Sequence, residues 1–260
     1  MTSNDLSLME QTTLIVQQQA LQFLGQWADA KLPQAVDTNS NAEAIKTAQS
    51  LLNWTEDASI KPLELLFNKV KLQQNSNNQY YIKPKAISEQ LPSVPYPTTS
   101  YPDLNQYKTE LKLVIDNLSI TDWNNLSFLS IFLEKYGSCI SLTDHDIPFW
   151  DLVKTTSAVA SILGNNNQET QQLSLIAGDL SGIQDFIYTI SADGALRSLR
   201  ARSFYLELVT EEITQQILEK LDLPRSCVIY VGGGNLYLLA PSDEETQNII
   251  ETLQFQVNQW

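Results

Sequence analysis

Asp179 and Ser181-Gly182 are the residues whose types and spacing first suggest chemistry. They sit in Leu175-Ile176-Ala177-Gly178-Asp179-Leu180-Ser181-Gly182-Ile183-Gln184-Asp185-Phe186-Ile187-Tyr188. Leu175 to Ala177 read as a short buried strand, and Ile183, Phe186, Ile187 and Ile190 as the apolar positions of a helix. A carboxylate at a strand end, beside free amides at a helix start, can hold a metal or a phosphate. Taken alone, a Gly-Asp pair at a strand end is more often only a turn. Two downstream blocks add chemistry. Gly194-Ala195-Leu196-Arg197-Ser198-Leu199-Arg200-Ala201-Arg202-Ser203-Phe204 clusters cations, and Tyr230-Val231-Gly232-Gly233-Gly234-Asn235-Leu236 supplies a glycine turn. Arg197, Arg200 and Arg202 lie within six residues, and the one other arginine of the chain is Arg225. A charge run is usually a solvated face. The absence of arginine elsewhere points instead to phosphate or RNA, which guanidinium groups recognise through paired N–H donors.

The elements that must position these residues follow from periodicity. The region from Leu173 reads strand, helix, strand, strand, helix. The first strand is Leu173 to Ala177, and a helical region broken near Asp193-Gly194 runs from Ile183 to Leu221. Val209, Ile213, Ile217 and Leu221 fall four apart, so this face is expected to pack on the sheet. Cys227 to Val231 and Leu236 to Ala240 form a hairpin. Ser242 and Glu245 are spaced as a capping box for a last helix carrying Ile249, Ile250, Leu253 and Val257.

The first 165 residues are mostly helical. Helices are expected from about Leu6 to Ala30, Asn41 to Trp54, Asn105 to Asn117, Ser127 to Tyr136 and Trp150 to Leu163. Tyr80 to Pro84 reads as a strand, the proline-rich segment from Leu91 to Pro102 as an extended connector, and Cys139 to Phe149 as a loop. Gly164-Asn165-Asn166-Asn167-Gln168 reads as a linker.

Composition bounds the function. The net charge of −14 argues against a general grip on nucleic acid, leaving only local basic segments for it. No apolar run approaches the ~20 residues of a membrane span. The polar N-terminus does not read as a signal peptide, so no membrane partner and a cytoplasmic location are expected. Cys139 and Cys227 are far apart and outside any metal-ligand spacing, so both are expected as reduced, buried thiols. His145 is the only histidine. Asp144-His145-Asp146 on its own cannot assemble a site of several histidines and aspartates.

The three blocks, in this order, resemble the first palm domain of the large subunit of type III CRISPR effector complexes. The family pattern runs approximately G-D-[IL]-S-G-I-Q-x-F-I-[YF], L-R-G-R-S-F and Y-x-G-G-G-x-x-x-[LV]-L. This chain departs from it at Ala201. The resemblance implies a polymerase-palm relative that helps make cyclic oligoadenylates. It extends to the first part of the chain, where the family carries an HD-type nuclease domain with a helix reading approximately S-L-Y-D-H-x-K-T-T-A-A-I-A. Here Asp151-Leu152-Val153-Lys154-Thr155-Thr156 keeps the register with Leu152 in place of histidine, and the early H-D-[IL]-G-K motif is missing.

The expected fold is therefore α+β. Residues 1–165 form a mostly helical, degenerate HD-like domain that has lost the nuclease. Residues 166–260 form a ferredoxin-like palm, βαββα, truncated before its last strand. The chain is then expected to be the N-terminal piece of a longer protein, or one part of a split one. The resemblance implies an ATP site built from Asp179, Ser181, Gly182, Gly233, Gly234, Arg197, Arg200 and Arg202. Mg²⁺ would come mainly through the missing second palm. Asn235 stands where a catalytic palm has paired aspartates, so this portion is not expected to catalyse nucleotidyl transfer alone. No catalytic or metal-ligating residue is assigned. The complete protein would be the candidate ATP-dependent cyclic oligoadenylate synthase. Implied partners are a guide RNA ribonucleoprotein, other CRISPR-associated subunits and target RNA, in antiviral defence. The alternative is a structural scaffold subunit that docks guide RNA and partners without nucleotide. A GGDEF-like signalling cyclase fits less well, for want of paired carboxylates.

Overall fold

The computed structural model describes residues 6–36, 41–54, 59–69, 79–88, 96–142, 146–165, 172–188 and 195–259. They fall into two compact units, Met1–Gly164 and Asn165–Trp260.

The first unit is built around α1 (Leu8–Ala28). Its start is fixed by a capping box: Ser7 Oγ accepts from the Glu10 N–H, and the Glu10 carboxylate accepts from the Ser7 N–H. It ends at Asp29, which takes the left-handed conformation with φ 55°, close to the end expected near Ala30. Val16, Ala20, Leu21 and Leu24 are wholly buried, because α3 (Asn105–Asp116), α5 (Leu126–Gly137) and α6 (Phe149–Leu163) pack around α1. The side-chain amide donors of two core glutamines find partners. Gln18 Nε2 donates to the Trp123 carbonyl at 3.0 Å, and Gln17 Nε2 to Ser130 Oγ at 2.8 Å. On α6, the Thr156 and Ser157 hydroxyls donate back to the Leu152 and Val153 carbonyls, which lets both residues be buried without an orphaned donor. α2 (Ala42–Leu51) also packs on α6, and the short α4 (Ile120–Trp123) precedes α5.

Small strands decorate the bundle: β1 (Lys61–Pro62), β2 (Tyr81–Ile82), β3 (Pro97–Thr98) and β4 (Ile140–Ser141). The expected strand at Tyr80–Pro84 is present as β2. Two expectations are corrected. The segment 139–149 is not all loop, since β4 pairs antiparallel with β1, with Lys61 opposite Ser141. The proline connector also contributes β3, pairing with β2, because a proline at the edge of a two-stranded ladder leaves no inward N–H unmet.

The second unit runs β5 (Leu173–Asp179), α7 (Ile183–Tyr188), α8 (Ala195–Lys220), β6 (Val228–Gly232), β7 (Asn235–Pro241) and α9 (Glu244–Gln259). The three strands form an antiparallel sheet in the order β5-β7-β6. The chain is thus α+β, with a helical unit followed by a small sheet carrying helices.

Two local expectations fail here for physical reasons. The buried stripe of α8 is Thr210, Thr214, Ile217 and Leu218, while Val209, Ile213 and Leu221 are only half-buried. The two threonines satisfy their hydroxyls on carbonyls four residues back, Leu206 at 2.7 Å and Thr210 at 2.8 Å, so they tolerate burial. Val209 and Ile213 line an open groove with Leu253 and Val257 instead. The cap of α9 is Asp243, whose Oδ1 accepts from the Thr246 N–H at 2.7 Å, and not Ser242. Ser242 is still engaged as strand, donating its N–H to the Gln172 carbonyl at 3.0 Å.

Candidate nucleotide site

The end of β5 meets the hairpin turn of β6 and β7. Asp179 is the last residue of β5 and stands directly opposite Asn235, the first of β7. The ladder continues into the loop, with the Leu180 N–H donating to the Gly234 carbonyl at 2.9 Å. This brings Asp179, the Leu180–Gly182 turn and the Gly233-Gly234 turn together at one end of the sheet. Ser181 and Gly182 are exposed, and Gly182 has φ +76°, a conformation that favours glycine and lets the chain turn sharply into α7. Phe186 N–H donates to the Gly182 carbonyl at 3.0 Å, which closes the first turn of that helix.

The two turn glycines differ. A Cβ on Gly233 would meet nothing within 4 Å, whereas one on Gly234 would fall 2.1 Å from Ile183 Cδ1. Gly234 therefore permits α7 to pack on the turn, and Gly233 faces open space. The Gly233 N–H is already engaged, donating to Glu207 Oε1 at 2.9 Å. Glu207 is the residue that sequence reasoning missed. It lies seven residues after Arg200, two helical turns along the same face of α8, but its contact with Gly233 crosses 26 residues of chain and spacing alone does not mark it.

The arginines divide. Arg202 donates from Nη1 to the Phe186 carbonyl, and its guanidinium sits 5.2 Å from the centre of the Phe186 ring. Phe186 in turn lies 5.9 Å from Tyr205, so Arg202 ties α7 to α8. Arg197 and Arg200 are exposed, and neither has an ion-pair or hydrogen-bond partner among the described residues. Arg225 is committed elsewhere, in a two-pronged pair with Glu211. The geometry thus joins Asp179, Ser181, Gly182, Gly233 and Gly234 at one sheet end. Arg202 reaches that end through α7, and Arg197 and Arg200 lie on the same helix as Glu207.

In the first unit, Leu152 is 5 % exposed on α6, so the position that a histidine would occupy in an HD motif is an apolar core position. Burial pushes the carboxyl of its neighbour Asp151 up, and Lys154 opposes that shift. Asp144 and His145 lie outside the described residues. Asp146 pairs with Lys69 at 2.5 Å. No group of three or more His, Cys, Asp or Glu side chains suited to a metal occurs among the described residues. No helix among them is long and apolar enough to cross a membrane.

Known proteins share this architecture. Residues 172–260 match the family described as Csm1 subunit domain B. The CRISPR system single-strand-specific deoxyribonuclease Cas10/Csm1 (subtype III-A) of Mycobacterium tuberculosis is 30% identical over 80% of this chain and 28% of its own length. The crystal structure of Csm1 in T. onnurineus covers 100% of this chain and 43% of that one, with a TM-score of 0.70 and 23% identity, a likeness of fold. The Csm1–Csm4 cassette in complex with one ATP covers 81% of this chain and 29% of that one, with a TM-score of 0.61 and 27% identity. The chain belongs to the Cas10/Csm1 family, the large subunits of type III CRISPR effector complexes. It spans less than a third of the length of its Mycobacterium tuberculosis relative.

Proposed function

We propose that this chain is the N-terminal part of a type III CRISPR large subunit, and that its second unit is a non-catalytic palm contributing an ATP site. The observation that carries this reading is the pairing of Asp179 with Asn235 across β5 and β7. A palm that holds two divalent ions needs carboxylates at both the strand end and the hairpin turn. Here one of the two is a neutral amide, so two metals would be poorly neutralised. The remaining groups suit phosphate: the exposed Ser181-Gly182 turn, the open face of Gly233, and Arg197 and Arg200, which are exposed and unpaired among the described residues. Arg202 would act by holding α7 in place, with its further N–H groups available to the ligand. Mg²⁺ would be supplied mainly by a second palm outside this chain, where cyclic oligoadenylate synthesis would take place. A relative's complex with ATP supports nucleotide as the ligand class, and the same relative's pairing with Csm4 supports other CRISPR subunits as partners; guide and target RNA complete the proposed assembly.

The first unit reads as a degenerate HD-like domain without nuclease activity. The single histidine and the buried Leu152 support this reading. A scaffold role without nucleotide draws its own support from Glu207, whose carboxylate holds the Gly233 amide that a phosphate would use. Calorimetry with ATP and Mg²⁺ separates the two. The complete subunit should lose one ATP equivalent in the Asp179→Ala, Ser181→Ala variant. Absence of ATP binding to both proteins would sink the nucleotide reading and leave the scaffold.

A further inference from the structure

α8 carries two apolar faces. Thr210, Thr214, Ile217 and Leu218 face the interior of the second unit and are buried. On the other side of the helix, Tyr205, Leu208, Val209 and Ile213 recur at spacings of three and four and line an open groove with Leu253 and Val257 of α9. A surface helix ordinarily turns one apolar stripe to the core and leaves the rest polar. Here Leu208 is 53 % exposed, and Tyr205 is open beside it. Single exposed apolar side chains are common on soluble proteins, whereas a continuous apolar stripe between two helices marks a place of interaction. From Tyr205 to Gln216 the groove follows three turns of α8, about 16 Å, and it encloses about 530 Å³.

The charge around this groove is mostly of one sign. Glu212 is its charged lining residue, and Gln216 holds that carboxylate at the rim, donating from Nε2 to Oε1 at 2.8 Å. Past Leu253 and Gln256 the surface continues into a second hollow, lined by Glu244 and Glu245 with Lys220. α9 has no lysine or arginine, against Glu244, Glu245 and Glu251, and the cations of the chain after Arg202 are Lys220 and Arg225. Arg225 is taken by Glu211. No cation pairs with Glu212, Glu244, Glu245 or Glu251 among the described residues.

We infer that the α8–α9 groove is a docking site for a cationic amphipathic helix of a partner protein. Such a helix lays its apolar face into a groove through anchors at i, i+3, i+4 and i+7, and the three turns of α8 match three turns of a partner. The carboxylates at the rim choose the flanks: lysine or arginine beside the anchors complements them, and glutamate there is repelled. The same sign excludes other occupants. Nucleic acid and anionic lipid carry the rim's own charge, and two copies of this chain joined groove to groove would set like charges face to face. The groove is separate from the turn at the end of β5 and does not depend on how that turn is read.

The test is fluorescence anisotropy of a labelled peptide, Leu-Lys-Lys-Leu-Leu-Lys-Leu written twice, with the 260-residue chain. A scrambled peptide of the same composition, and one with Glu for every Lys, should each bind about tenfold more weakly or worse. The Leu208→Gln, Ile213→Gln variant, whose net charge is unchanged, should weaken binding about tenfold or more at every salt concentration. Leu208→Gln alone, at an exposed helix position, folds as the parent does and should show about threefold of that loss, so the test survives if the double variant does not fold. Glu212→Lys should weaken binding about threefold or more at low salt, and the difference should fade near 1 M salt, where the Debye length is about 3 Å. Absence of measurable binding would overturn the inference. So would equal binding of the Glu peptide, or equal binding to the parent and to Leu208→Gln. Self-association of the chain in sedimentation, lost in Leu208→Gln, would overturn it too and give the groove to a second copy.

Discussion

Gly234→Ala is the substitution whose cost the structure fixes most closely. At φ +84°, an alanine is held in the left-handed region, which costs about 1–2 kcal/mol. Its Cβ would also fall 2.1 Å from Ile183 Cδ1. That atom is the tip of a side chain, and swinging it away costs a further ~0.5–1.5 kcal/mol of rotamer strain. The expected loss is therefore about 1.5–3.5 kcal/mol. Gly233→Ala, at φ +60° with open space around it, should lose only the first part. Ile183→Val deletes the clashing methyl, so Gly234→Ala made in that background should recover about 0.5–1.5 kcal/mol as a coupling. Hydrogen exchange of β7 (Asn235–Pro241) reads the second unit directly, at tenfold per ~1.4 kcal/mol where opening is at equilibrium. Tryptophan fluorescence in a Trp260→Phe background gives an internal reference, since the other four tryptophans, Trp27, Trp54, Trp123 and Trp150, lie in the first unit. A Gly234→Ala protein within a few tenths of wild type, or one equal to Gly233→Ala in both backgrounds, would refute the packing of Ile183 against the turn.

Three further outcomes are expected. Glu207→Gln keeps an acceptor for the Gly233 N–H and removes its charge, so ATP should bind more tightly by calorimetry; weaker binding would show the carboxylate holding a cation for the ligand. Asp116 accepts the Lys31 N–H at 2.6 Å and the Lys112 ammonium at 3.0 Å, which hold its carboxyl below the usual range. Its stabilising contribution is thus present above the ordinary carboxylate pKa and lost as pH falls through the lowered one, and Asp116→Asn should flatten the acid limb of a melting-temperature profile. Cys139 and Cys227 are both buried, and burial pushes the Cys139 thiol up, so both should react with a thiol reagent only after unfolding.

Much of the fold was legible because it rests on periodicity. The helices at Asn105–Asp116, Leu126–Gly137 and Phe149–Leu163 lie within a residue or two of their sequence expectation, as does the hairpin around Gly233-Gly234. What escaped depends on partners distant in sequence. β4 is two residues long and exists only because Lys61–Pro62 lies beside it. The buried face of α8 was misread because threonine looks polar in a pattern, yet bonds its own helix when buried. The α9 cap fell to Asp243 because Ser242 is drawn into the strand ladder. At the candidate site, the Asp179, Ser181-Gly182 and Gly233-Gly234 grouping could be read from order alone. Glu207 on the Gly233 amide and Arg202 on Phe186 could not, since both are contacts across a fold.

The most direct test of an ATP site in this palm is amide NMR of the isotope-labelled chain titrated with ATP and Mg²⁺, which detects weak binding without the second palm. Shifts should concentrate at Ser181, Gly182 and Gly233, with the α8–α9 groove around Ile213 and Leu253 unmoved. Shifts confined to that groove, or none at saturating ATP, would contradict a nucleotide site at the end of β5.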